Sequence, residues 1–177
     1  MARTAAAGAL LALILATGCP RNEPELATPL EEEEGSGEAQ LLSTVNAADP
    51  AAEEQLLEGF HTVEQRAWRW VEKRFSLLLQ PPPPAPGQPA SLDLRFTIPE
   101  VIEQRVGPVT LSATVNGVAL GAETFEAAGE HLYTREVPEG ALTEAPARVE
   151  FEVDKAMPPS DQDSRELAIV VQSIALR

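Results

Sequence analysis

Residues 109–120 read VTLSATVNGVAL. Val109, Leu111, Ala113 and Val115 alternate with Thr110, Ser112 and Thr114. That period of two puts the apolar side chains on one face of a strand and the hydroxyls on the other. Asn116-Gly117 follows at once. Both residue types tolerate the positive φ that a two-residue hairpin turn demands, and Val118-Ala119-Leu120 begins the return strand. The stretch therefore predicts antiparallel β-structure.

The same period recurs on either side. Leu92, Leu94, Phe96 and Ile98 share a face, with Asp93 and Arg95 opposite. His131, Tyr133, Arg135 and Val137 form another alternating set, stopped by Pro138. Val149, Phe151 and Val153 alternate with Glu150, Glu152 and Asp154. Residues 167–176 are almost continuously apolar, as for a strand buried on both faces or one that carries a bulge. Upstream, Trp68 and Trp70 point one way and Arg69 the other, and Phe75, Leu77 and Leu79 alternate until PPPPAPGQP (residues 81–89) interrupts with a stiff connecting loop. Seven to nine short strands separated by turn signals predict an all-β fold, an antiparallel β-sandwich over residues 46–177. A short helix is expected to lead into it. Asp49 is its cap, Pro50 its first turn, Ala51 to Glu58 its body and Gly59 its stop.

The N-terminal quarter has a different character. Met-Ala-Arg and then AAAGALLALILAT form the basic and apolar regions of a signal peptide, and the apolar run is shorter than the roughly 20 residues of a membrane-spanning helix. It ends in Ala16-Thr17-Gly18-Cys19, small residues before the only cysteine of the chain. This resembles the bacterial lipoprotein signal. The resemblance implies cleavage between Gly18 and Cys19 and acylation of Cys19, with residues 1–18 removed. Ala16 stands where leucine is commoner. Pro20 rather than Asp follows the cysteine, so the resemblance favours the outer over the inner membrane, a lipid anchor in the bacterial envelope. Residues 19–45 are rich in proline and acid, with a Glu31–Glu34 run and Gly35-Ser36-Gly37, and are expected to form a disordered tether.

The charge excludes one class of partner. Of the net −15, residues 20–58 hold eleven acids against one base, and no basic run occurs anywhere. Nucleic acid binding lacks its electrostatic footprint. The catalytic inventory is thin as well. His61 and His131 are the only histidines, and no P-loop, nucleophile elbow, dinucleotide fingerprint or zinc spacing is present. Asp161, Asp163 and Glu166 invite comparison with a calcium loop, but the central glycine is missing and Arg165 competes for the carboxylates. No enzyme, cofactor or metal site is expected.

The binding candidates lie in GFHTVEQRAWRWV, residues 59–71. Both tryptophans of the chain fall here. Trp70 is expected to fill the core. Trp68, nearer a turn, is a candidate platform for the C–H face of a sugar, with Glu64, Arg66 and Arg69 as candidates to bond hydroxyls.

A second resemblance rests on Gly59-Phe60 followed by Glu64 and Arg69-Trp70, and on the Val115-Asn116-Gly117 hairpin. It also rests on Tyr133 through Val137-Pro138, Val149-Glu150-Phe151, Asp154-Lys155-Ala156, Pro158-Pro159 and Asp163 through Leu167. From about Asp49 onward the chain resembles a β-sandwich module found in bacterial envelope and glycosyltransferase-associated proteins, and the resemblance implies a jelly-roll-like arrangement of the sandwich. The resemblance implies a charge network of Glu64, Arg69, Asp163 and Arg165 joining the first and last strands. The expected partner is an envelope glycan, or alternatively another envelope protein bound in an adaptor role.

Overall fold

The computed structural model describes residues 41–83, 89–142 and 145–177. Cys19, Gly18, the signal peptide, the tether up to residue 40 and the centre of the proline loop lie outside them. The alternating segments form strands β1 (Thr44–Asn46), β2 (Leu56–Glu64), β3 (Trp68–Leu79), β4 (Ala90–Ile98), β5 (Val109–Val115), β6 (Val118–Ala119), β7 (Glu123–Phe125), β8 (Gly129–Val137), β9 (Ala147–Val153) and β10 (Val170–Leu176). All pairings are antiparallel.

One group of strands runs β1, β10, β4, β8, and a second runs β2, β3, β9, β5 with β6 and β7 on the β5 edge. The two are joined at one corner, because the long β3 changes neighbour along a single edge. Trp70 and Arg69 pair with Val170 and Val171 of β10, whereas Arg74 to Leu79 pair with β9. The sheet thus curls into a half-barrel around one apolar core, a sandwich-like all-β fold. Phe96 of β4 meets Phe125 of β7 edge-on at 4.9 Å, and Phe75 of β3 stacks on Phe151 of β9 at 4.9 Å. Aromatic pairs of this geometry add to the area they bury.

The hairpin at 116–117 forms as its residues require. Asn116 and Gly117 have φ of 46° and 78°, and Val115 pairs with Val118. The apolar C-terminal run is a strand with a register shift between Val171 and Ser173, inserted between β4 on one side and β1 and β3 on the other. Strand pairing begins at Thr44, two residues before the expected start of the folded region, and Val45 is already buried.

Two features differ from the sequence reading. The expected leading helix is a single 3₁₀ turn, Pro50–Ala52, in which Ala51 N–H donates to the Asp49 cap at 2.9 Å. Leu56, Leu57 and Glu58 instead belong to β2, and Gly59 does not end a helix but sits inside that strand at the register shift between Glu58 and Phe60, with φ of 77°. Pairing with β3 overrides the helix propensity of the Ala/Glu/Leu stretch. The only α-helix among the described residues is α1 (Glu100–Val106), a connection between β4 and β5 ended by Gly107 at φ of 72°. Glu100 and Glu103 in its first turn and Arg105 in its last match the helix dipole. No helix of the described residues is long and apolar enough to cross a membrane.

Candidate functional site

β3 is an unbroken twelve-residue strand, so its residues strictly alternate. The inward set includes Val71, Phe75, Leu77 and Leu79, all fully buried, together with Arg69. Trp68 and Trp70 necessarily take the other face. Both are half-buried, and both line an open groove of ≈ 580 Å³. Trp70 packs against the edge of the core without filling it, which corrects the expectation that it is a core residue.

The groove is built by register. Trp70 stands opposite Val170 of β10, Val170 opposite Thr97 of β4, and Thr97 opposite Glu130 of β8. Residues directly opposite one another share a face, so these four form one row across four strands, about 14 Å long at the usual strand spacing. Trp68 lies two residues from Trp70, with Glu64 of β2 opposite it. Gln172 sets the floor, its Nε2 donating to Thr97 Oγ1 at 2.7 Å. Two indole faces are thereby flanked by two carboxylates, an amide and a hydroxyl.

Arg66 is not part of this arrangement. It is exposed in the β2–β3 turn with φ of 58° and does not line the groove. The remaining charged candidates separate into two systems. Arg165 Nη1 donates to Glu64 Oε1 at 2.8 Å, while its Nε and Nη2 donate to the two oxygens of Asp163 at 2.9 and 2.8 Å. This fork fixes the Glu64 carboxylate on the groove wall and holds the 163–166 loop against β2. His61 Nε2 bonds Glu166 O at 2.8 Å, and Lys73 N–H donates to Glu166 Oε1 at 2.9 Å, which secures the same loop. Arg69 does not join them, which corrects the expected four-residue network. It is buried at 4 % exposure and donates through Nε to Ala47 O at 2.6 Å, through Nη1 to His61 O at 3.1 Å, and through Nη2 to Glu53.

The side-chain and backbone hydrogen bonds from Arg165 lower the Asp163 pKa to about 2, from an ordinary 3.8. The two carboxylates raise Arg165 above its ordinary value in turn. A depressed carboxylate stabilises the folded state above its unfolded pKa, and that contribution disappears as pH falls through the folded value. The loop tie is therefore complete above about pH 4 and lost as pH approaches 2. A carboxyl NMR titration of Asp163 is expected to show a midpoint near 2, with the Arg165 and Glu166 amide resonances moving alongside it. A midpoint near 3.8 means the fork is absent in solution.

Asp163 and Glu166 are thus engaged by Arg165, Lys73 and the backbone, and no group of three or more metal-ligating side chains occurs among the described residues. His61 and His131 lie on β2 and β8, each bonded to a backbone carbonyl.

No family model matches the chain, and no curated protein does. A solved structure similar to it is that of a family GH115 4-O-methyl-α-glucuronidase, BtGH115A, with specificity for decorated arabinogalactans. The similarity covers 78% of this chain and 18% of that one, at 8% identity and a TM-score of 0.43. The chain thus spans less than a fifth of that enzyme's length, and a likeness of this size carries no argument about ligand or activity.

Proposed function

We propose that this is a lipid-anchored protein of the bacterial cell envelope, held in the outer membrane by acylated Cys19, whose β-sandwich is a non-catalytic glycan-binding module. The observation that carries the reading is the pair of half-buried tryptophans, side by side in an open groove with polar side chains at hand. Tryptophans elsewhere in a small domain are usually covered, because each offers 150–250 Å² of surface to bury. Leaving two of them partly in water on one strand is unfavourable for the free protein and favourable for a partner. The C–H face of a pyranose covers an indole ring, and Glu64, Glu130, Thr97 and Gln172 are placed for the hydroxyls around its edge.

Trp68→Ala and Trp70→Ala are each expected to weaken oligosaccharide binding by roughly thirtyfold, the loss of about 2 kcal/mol typical of a central aromatic contact. The thermal midpoint stays nearly unchanged for Trp68→Ala and falls for Trp70→Ala, whose ring packs against the core. Titration calorimetry against a panel of envelope oligosaccharides measures this. Silence across the panel, with a stable envelope protein bound instead, favours the adaptor role. For the anchor, labelled palmitate is expected to enter the wild type and not Cys19→Ser; equal labelling rejects it.

A further inference from the structure

Resting on the glycan reading, the charges of the groove go further and point to a class of sugar. Its lining contains Glu64 and Glu130 and no Lys, Arg or His. Arg165, the cation that touches Glu64, is held by four hydrogen bonds to Glu64 and Asp163. Glu130 is different. It is exposed and makes no ion pair or side-chain hydrogen bond among the described residues, although it ends the row that begins at Trp70. The hydrogen-bonding groups are biased in the same direction. Gln172 spends one of its two N–H groups on Thr97, which leaves its carbonyl oxygen free beside two carboxylates. The lining thus carries two carboxylates and no cation, and the indole faces add the negative side of their quadrupoles.

We infer that the groove selects oligosaccharides bearing a free amine, with the ring stacked on Trp70 or Trp68 and the ammonium directed to Glu130. An ammonium group supplies three donors and a positive charge to a site rich in acceptors and negative charge. A uronate or a phosphorylated sugar meets the reverse, two carboxylates and no cation among the lining residues. The remainder of the chain reinforces the choice, since residues 59–177 carry seventeen acids against eleven bases. An N-acetylated sugar lies between, able to stack but unable to use the charge.

The test compares β-1,4-linked oligomers of glucosamine and of N-acetylglucosamine with oligogalacturonate, all of one length, below the pKa of the amine. The full chain is expected to bind the amine-bearing oligomer roughly tenfold more tightly than the acetylated one, equivalent to about 1.4 kcal/mol, and not to bind the uronate. The preference shrinks as salt is raised. Glu130→Gln, which preserves size and exposure, is expected to bring the first two affinities together. Equal affinities in the wild type, a preference for the acetylated or acidic oligomer, or a ratio unchanged by Glu130→Gln overturns the amine selectivity while the glycan reading stands. Binding of none of the three, nor of any other sugar in the wider panel, overturns both.

Discussion

Gly59→Ala is expected to destabilise the domain by about 4 kcal/mol, lowering the thermal midpoint by roughly 15 °C. Two effects combine. A φ of 77° costs an alanine about 1–2 kcal/mol by itself. The added Cβ also has nowhere to go, because it falls 2.0 Å from Arg74 O and 2.7 Å from Phe75 Cα. Both are backbone atoms of β3, the strand that holds the two halves of the fold together and carries the tryptophans. Relief requires β2 to leave its partner. Gly117→Ala is the control. Its φ is almost the same, at 78°, but nothing lies within 4 Å of the new Cβ, so only the dihedral cost of about 1–2 kcal/mol is expected. Chemical denaturation of both variants separates conformation from collision. Equal losses contradict the close approach of β2 and β3.

Arg69→Ala is the second large loss, about 3 kcal/mol, the lower end for breaking a buried charged contact, since Glu53 itself is 60% exposed. The guanidinium ties together three segments, namely the chain after β1 through Ala47, the segment after the 3₁₀ turn through Glu53, and β2 through His61. Its removal leaves two carbonyls without their donor in a dry site. Arg69→Lys keeps the charge but not the fork, and is expected to recover less than half of the loss. Glu53→Gln is expected to cost under 1 kcal/mol, because its carboxylate stands largely in water. Hydrogen exchange locates the effect. Faster exchange after Arg69→Ala is expected over residues 44–56, with the β4–β8 ladder protected. An effect spread evenly over the sheet contradicts the local role.

The fold was legible where pairing partners are close in sequence. Asn116-Gly117 specified its own turn, and the alternation of β4, β5, β8 and β9 settled which side chains face inward. β2 was not legible, because AAEEQLLEG is good helix sequence in isolation and becomes a strand only through its partner β3, 68–79. The error at Trp70 was avoidable. The tryptophans occupy even positions and Phe75, Leu77 and Leu79 odd ones, so one unbroken strand cannot bury both sets. By the same parity Arg69 faces inward, where a cation needs several acceptors, and these come from positions 47, 53 and 61, with nothing in their spacing to announce them. The Asp163–Arg165 contact was visible at two residues' separation. Thr97, Glu130, Val170 and Gln172 were not foreseeable as groove residues, since strand order across β10, β4 and β8 alone brings them beside the tryptophans.

Because the chain holds two tryptophans and both line the groove, its tryptophan fluorescence reports on this site. The most direct measurement is acrylamide quenching of that emission in the folded protein, alone and with saturating oligosaccharide. The account predicts rings accessible to acrylamide when free, and a fall in accessibility with a shifted emission maximum when a bound sugar covers them. Rings shielded in the free protein, or an accessibility and emission that no neutral, amine-bearing or acidic oligosaccharide alters, would contradict it.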